Sequence, residues 1–486
     1  MLGRLVIGFV FLLIAFPYVL RAQVVGDTIQ VGDEIRFHVK DSLAGFVRVN
    51  RINIQGNNRT RETIILRELR LRPGDSVNRV ELEFLLMREQ QKLFNLHLFN
   101  TATVTAVEVG PGLIDLNVVV EERWYTFPVL RFRLTDRNFN EWWQNYNHDI
   151  SRVVYGLKLY QYNLWGRNHT MFVMAEFGFQ KNFRFMYKVP YINRKQTQGL
   201  TLDVDYSEGK SIADSTIGHK LNYVKSNDVL RTTRGIGLTY TFRNNFYVQH
   251  RLKYEYRYSN IADTLVSLNE NYLGRGMNRQ HVDILTYELA ADRRDVAAYP
   301  LKGYEFLFGI RQDGIAFHSD LMKTSSYVRL ASYIPLGNGF YFSDLGVAYW
   351  SSPDNVPYYN YTTMGYDRTF VRGYEVYVVE GPYFILNKAT LKMKVFSRNW
   401  HLNNWKMRQF NYLPIAVYLK SYADVGYVDN YKAYEDAQIN KMLSDRIISG
   451  IGFGMDVVTG YDLAVRLEYS FTGQGNGFFL HFRKEF

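Results

Sequence analysis

The residues of this chain that could do chemistry are its ten histidines and its close acidic pairs, and neither group has a spacing that a reaction needs. His38, His97, His148, His169, His219, His250, His281, His318, His401 and His481 are scattered, with no metal-ligand pattern. There is no H-E-x-x-H, no G-x-S-x-G and no phosphate-cradling P-loop. Glu121-Glu122, and Asp292 close to Asp295, read more simply as strand ends and turns. With no cysteine in 486 residues, a thiolate metal site, a cysteine nucleophile and a disulfide framework are excluded. No catalytic residue, metal or cofactor is expected, and the chain reads as a non-enzyme.

Composition points elsewhere. Aromatic residues make up 16% of the chain and charged residues only 22%, which excludes disorder. A mean hydropathy of −0.24 argues against a bundle of membrane helices. It does not argue against a membrane β-barrel, where only alternate residues meet lipid. The net charge of +11 comes almost wholly from residues 124–486, where 43 basic residues face 33 acidic ones. In a lumen and its loops that surplus suits anionic lipid headgroups or an anion-tolerant pore, and nucleic acid is not expected as a partner.

The chain reads as a series of segments. Residues 1–22 (MLGRLVIGFVFLLIAFPYVLRA) carry Arg4, then an apolar run from Leu5 to Leu20, and end at Ala22; this is the pattern of a secretory signal peptide. Residues 23–44 are a polar lead. Residues 45–123 are predicted to fold as a small β-α-α-β-β domain, with Asn78 capping the second helix and Glu81 reaching back. The short sheet of such a domain has an open edge. Residues 124–150, with Trp142 and Trp143, are predicted to link this domain to the long C-terminal part. Residues 151–486 contain about sixteen segments of roughly ten residues that alternate apolar and polar, as tilted transmembrane strands do. RGIGLTYTF (234–242) and QHRLKYEYRY (249–258) are examples. The predicted fold is therefore a membrane all-β one: an antiparallel barrel of about sixteen strands with one small N-terminal α/β domain. The last segment, GFFLHFRKEF, ends on Phe486 and alternates to the end.

Two sets of residues carry a resemblance. Ile52, Ile54, Gly56, Asn57, Thr60, Arg67, Leu69, Pro73-Gly74-Asp75, Phe99 and the strand LNVVVEE resemble a polypeptide-transport-associated (POTRA) domain. In the long C-terminal part, Val371-Arg372-Gly373-Tyr374 resembles the VRGF/Y motif of the sixth extracellular loop in the BamA/TamA-like outer-membrane assembly superfamily. DRRDVAAYPLKG, with Asp292, Arg294, Asp295, Pro300 and Gly303, is similar to that superfamily's D-x-R-D turn. Tyr422-Ala423-Asp424-Val425-Gly426 is similar to its F-x-D-x-G strand, and GIGFGMDVVTGYD (450–462) to its penultimate hairpin.

The resemblance implies a bacterial outer-membrane protein with its POTRA-like domain in the periplasm. It implies that the loop 351–381 folds into the lumen and is anchored by Arg372 on Asp424. The planar guanidinium forks onto a carboxylate, Tyr422 packs beside it, and Gly373 lets the backbone approach the wall. It further implies a seam between the first strand, about Arg152–Tyr160 and loosened by Gly156, and the last, with Phe482 and Phe486. The function so implied is assembly or translocation of β-rich clients. A pore dedicated to one partner protein or surface lipoprotein is the alternative, because only one POTRA-like domain is read; a passive channel is a third. Partners would be periplasmic client polypeptides, outer-membrane lipids and accessory lipoproteins.

Overall fold

A computed structural model describes residues 45–134, 153–315, 319–365, 369–401, 412–461 and 463–484. The signal peptide, the polar lead, Trp142, Trp143 and Phe486 lie outside the described residues. The chain divides into two compact units, the main boundary falling after Arg123, with Asp295–Ala297 grouped with the first.

The first unit has β1 (Phe46–Gln55), α1 (Glu62–Glu68), β2 (Ser76–Asn78), α2 (Arg79–Phe94), β3 (Phe99–Gly110) and β4 (Leu113–Glu122). The expected three strands are four. Ser76–Asn78 pairs antiparallel with Phe46–Arg48, so the sheet order is β2-β1-β4-β3. The bend after α1 returns the chain to the sheet edge before α2 begins. The side chain of Asn78 caps α2 by accepting the Val80 N–H at 2.9 Å, whereas Glu81 is exposed. Val47, Val49, Leu71, Val77, Ile114 and Leu116 form the core under the helices. The twelve-residue β3 is an edge strand.

The second unit begins at Trp124. In chain order its strands are β5 (Thr126–Leu134), β6 (Val153–Leu164), β7 (His169–Gly178), β8 (Lys181–Val189), β9 (Gln198–Gly209), β10 (Ser211–Ile217), β11 (Lys220–Lys225), β12 (Arg231–Arg243), β13 (Val248–Ile261), β14 (Arg279–Asp292), β15 (Gly303–Asp313), β16 (Lys323–Gly337), β17 (Phe340–Ser352), β18 (Thr363–Met364), β19 (Val379–Glu380), β20 (Tyr383–His401), β21 (Tyr412–Asp429), β22 (Ile447–Thr459), β23 (Leu463–Thr472) and β24 (Gly475–Lys484). The pairs β10–β11 and β18–β19 stand apart; the other sixteen form one sheet in which each strand neighbours the next. Its two ends meet: the Phe127 ring on β5 lies 5.6 Å from that of Tyr461, in the β22–β23 turn, so the sheet curls into a barrel. Connections at the Thr126 end are mostly short. Those at the far end are long: the β10–β11 hairpin, a loop with α3 (Asp263–Leu268), the segment 353–382, and a loop with α4 (Lys432–Asp436).

The alternation is what the composition called for. On β12, Ile236, Leu238, Tyr240 and Phe242 point outward and are exposed, while Gly235, Gly237 and Thr239 point inward. Asp344 on β17 is an outward exception, with Asn387 Nδ2 donating to both its carboxylate oxygens at 3.0 and 3.2 Å.

One expectation is corrected here. Residues 126–134, assigned to a linker, are the first barrel strand, paired with β6 from Thr126↔Gln161 to Leu134↔Val153. Pro128, ordinarily a strand breaker, is tolerated because β5 is an end of the sheet and its missing N–H breaks no second ladder. The candidate seam is therefore β5 against β24, not residues 152–160. Gly156 is on the second strand, between Arg131 and Glu176. It loosens no seam: a Cβ there would stand 2.1 Å from the Ala175 carbonyl oxygen, so glycine allows β6 and β7 to approach.

Candidate functional site

The loop between β17 and β20 turns inward and lies on the inner wall made by β20 to β24. Its tightest point is Val371-Arg372-Gly373-Tyr374. Val371 and Tyr374 are buried in a cluster with Met364, Phe384, Leu386, Val428 and Ile448. Between them Arg372 is buried on Asp424. Its Nε donates to Oδ2 at 2.8 Å, its Nη2 to Oδ1 at 2.5 Å, and its backbone N–H to Oδ2 at 3.0 Å. The Nη2 also donates to the Thr390 hydroxyl at 3.0 Å, and Nη1 lies 3.6 Å from Glu468. The guanidinium stands 3.8 Å above the Tyr422 ring, whose hydroxyl is 2.7 Å from that of Ser470. A two-toothed ion pair closed by a ring face and a hydroxyl leaves this charge few unmet hydrogen bonds, which is the condition for burying it.

The wall is shaped for the loop by missing side chains. A Cβ on Gly450 would be 2.1 Å from the Arg372 carbonyl oxygen, one on Gly452 2.5 Å from the Tyr422 hydroxyl, and one on Gly426 2.8 Å from Val371. From the loop side, Gly373 has φ +98°, and a Cβ there would meet Thr472 at 2.2 Å. Loop and wall thus touch backbone to backbone.

Below this point a buried ionic chain runs toward the Thr126 end. Lys420 bridges Asp456 and Glu468, the latter at 2.9 Å. Asp456 accepts the Tyr299 hydroxyl at 2.8 Å, and Lys392 lies 4.2 Å over the Tyr299 ring. Lys388 donates to the Phe370 carbonyl at 3.0 Å and is 3.9 Å from Asp424. A cavity of about 140 Å³ opens among Phe370, Lys388, Arg466 and His481.

Tyr299 belongs to the predicted D-x-R-D connection. Arg294 folds back on Asp292, Nε to Oδ1 at 2.9 Å and Nη2 to Oδ2 at 2.6 Å, and reaches Glu305 at 3.1 Å. Gly303 (φ +105°) has the Arg293 carbonyl where a Cβ would be, and Pro300 is buried beside Tyr299. Asp295 is half-buried in the same connection. Of the remaining predicted positions, Gly156 lies on β6 between Arg131 and Glu176, and Phe482 lies opposite Val465 on β24.

The outer end of the loop is held differently. His219, at the tip of the β10–β11 hairpin, accepts the Leu443 N–H on Nε2 at 2.9 Å, while its own carbonyl accepts the Val378 N–H at 2.9 Å. Asn440 donates to the Thr216 carbonyl at 2.7 Å. Glu380 is buried and accepts the Tyr434 hydroxyl. Burial holds His219 down at about 4 and raises Glu380 to about 7.

Lys420, Glu468, Thr390 and Lys388 carry no sign in the sequence that singles them out. Asp456 and Tyr299 lie inside recognisable motifs, without a role visible there. A lone charge in an alternating strand does not show which distant strand will answer it.

A family model described as POTRA, surface antigen variable number repeat, matches residues 47–123, and one described as the Omp85 superfamily domain matches residues 163–477. Among solved structures, the chain is similar to BamA from Haemophilus ducreyi lacking POTRA domains 1–3, with TM-score 0.52 and 15% identity over 90% of this chain and 84% of that one. It is also similar to CdiB from Escherichia coli, with TM-score 0.53 and 11% identity over 90% of this chain and 74% of that one. No curated protein matches the sequence.

Proposed function

We propose that this chain, which belongs to the Omp85 superfamily, inserts or exports β-rich client proteins as an assembly factor of the bacterial outer membrane. Its barrel stands in that membrane and its POTRA domain in the periplasm. The Thr126 end of the barrel, where the chain arrives from the POTRA domain, is then the periplasmic end, and the long connections are extracellular.

The observation that carries the reading is the inward loop anchored by Arg372 on Asp424. A passive channel gains nothing from filling its lumen with a close, glycine-lined loop contact. An assembly factor needs a rigid wall opposite a seam that gives way. The seam runs along β5 and β24, the two ends of the sheet order, where any edge group left unpaired in lipid would cost several kcal/mol and so favour capturing a client strand. Periplasmic clients would reach it through the open edge of β3. Lipids and accessory lipoproteins are proposed as further partners. No catalytic role is assigned.

A second reading, a pore dedicated to one partner protein or surface lipoprotein, is favoured by the single POTRA domain found among the described residues. Depletion followed by quantitative proteomics of the outer membrane separates the two. Broad loss of barrels supports assembly, loss of one surface protein supports dedicated export, and no loss overturns both.

A further inference from the structure

The opposite sector of the inner wall carries a pattern that the docked loop does not use. Strand register places Lys188, Thr201, Thr239, Lys253, Thr286 and Arg311 side by side on β8, β9, β12, β13, β14 and β15, each the direct cross-strand partner of the next. All share the inward parity, since Ile236, Leu238, Tyr240 and Phe242 take the outward one on β12. The row holds hydroxyls and cations and no acid.

Because strands in a barrel are staggered, the row also climbs. Lys188 is one residue from the periplasmic end of β8, and Arg311 is two from the extracellular end of β15. Above Arg311 lies a cavity of about 440 Å³, lined also by Ser325, Tyr359 and Asn360 beneath the extracellular loops.

The acids of the flanking rows are already engaged. Glu255 is held by Lys253 and Arg257, Asp313 lies 2.7 Å from Arg311, and Asp203 lies 3.0 Å from Arg184. Unanswered charge is therefore concentrated at the entry. Lys188 is exposed to the lumen and has no acid partner among the described residues; its charged neighbours are Arg243 and Arg251. Arg251 reaches Glu288 at 3.2 Å with Nη1, but its buried Nε has no acceptor among the described residues.

We propose that this row is a binding track for carboxylates, entered at Lys188 from the periplasmic mouth, and that its ligand is an acidic, extended segment of a client polypeptide. The inference rests on the reading that the protein handles polypeptides. Ammonium and guanidinium groups supply charge, and the threonines between them supply donors at every strand without bulk to block a moving chain.

The test is fluorescence anisotropy of labelled hexaglutamate with the purified full-length protein in a nonionic detergent. Heat-modifiable gel mobility confirms that each variant is a folded barrel. Expected are binding that weakens with salt, no comparable binding of hexalysine, and a loss of about tenfold in Lys188→Glu, smaller in Lys188→Gln. Lys188→Glu binding as wild type, hexalysine binding equally, or no binding of hexaglutamate would each overturn the track. Free glutamate competing at matched carboxylate concentration would assign the site to small anions and overturn the polypeptide source. Because depletion proteomics reads the client role directly, a failed peptide assay leaves that result standing and removes only the track.

Discussion

The inner wall of the barrel has two sectors built on the same strand geometry and finished in opposite ways. Along β20 to β24 the inward positions are glycines and buried ions, and a loop lies against them backbone to backbone. Along β8 to β15 a row of threonines, lysines and an arginine stands beside rows of paired acids, with Lys188 exposed at one end. The first sector behaves as the core of a soluble domain placed inside a barrel; its charges are buried and so demand particular partners. The second pairs its buried acids, such as Glu255 with Lys253 and Arg257, but leaves exposed cations such as Lys188, whose charge is screened and individually replaceable. The longest buried ionic chain thus lies on the loop-bearing side, where rigidity is expected to be greatest.

That contrast breaks most directly at Asp424. Asp424→Ala leaves Arg372 buried with Glu468 as its nearest carboxylate, and should loosen the loop by about 3–5 kcal/mol. Proteolysis within residues 353–382 should become fast and client handling should fall, while heat-modifiable mobility shows an intact barrel. Arg372→Ala should act alike, and the double variant should be little worse than either single one, as a coupled pair requires. If either single variant kept full function, the anchored loop would not be part of the mechanism. A smaller effect is expected at Gly450→Ala. Its Cβ collides with the Arg372 carbonyl oxygen, and overpacking of this kind costs about 1–3 kcal/mol. On the other sector, Thr239→Val should leave loop proteolysis unchanged to within about 0.5 kcal/mol. Loosening of the loop by Thr239→Val would mean that the two sectors are not independent.

Legibility in the sequence divides along the same line. Period-two alternation reveals the outer face of the barrel, because lipid imposes one demand on every strand. Motif residues reveal Arg372, Gly373, Tyr422 and Asp424, which the fold brings together. The start of the barrel is hidden by Pro128, whose usual preference is against a paired strand; an end strand removes the reason for that preference. Lys420, Asp456 and Glu468 are invisible as a group, since they come from β21, β22 and β23 and only register joins them. The glycines of GIGFGMD form a pattern whose cause the sequence does not show. Their cause is the Arg372 carbonyl and the Tyr422 ring, which belong to residues far away in the chain.

At the loop's outer end the wild-type protein is expected to show almost no net effect, because two titrating groups oppose each other. Glu380, raised to about 7, contributes fully while protonated below its ordinary 4.5, and the contribution is lost as pH rises through 7. His219, lowered to about 4, contributes fully while neutral above its ordinary 6.5, and the contribution is lost as pH falls toward 4. Between about pH 4.5 and 6.5 the slopes have opposite sign and cancel, so the wild-type latch should be nearly indifferent to pH there. Each slope alone is at most about 1.4 kcal/mol per pH unit. Hydrogen exchange at the Leu443 amide, which donates to His219, reads the latch once intrinsic rates are corrected for pH. Glu380→Gln should leave only the histidine, so protection should rise with pH across the window. His219→Gln should leave only the carboxyl, so protection should fall. Equal, flat profiles in both variants would show that neither group titrates with opening, and that the outer end of the loop is held by its aromatic packing instead. The inner anchor, built from Arg372 and Asp424 rather than from these two groups, should show no such profile in either variant.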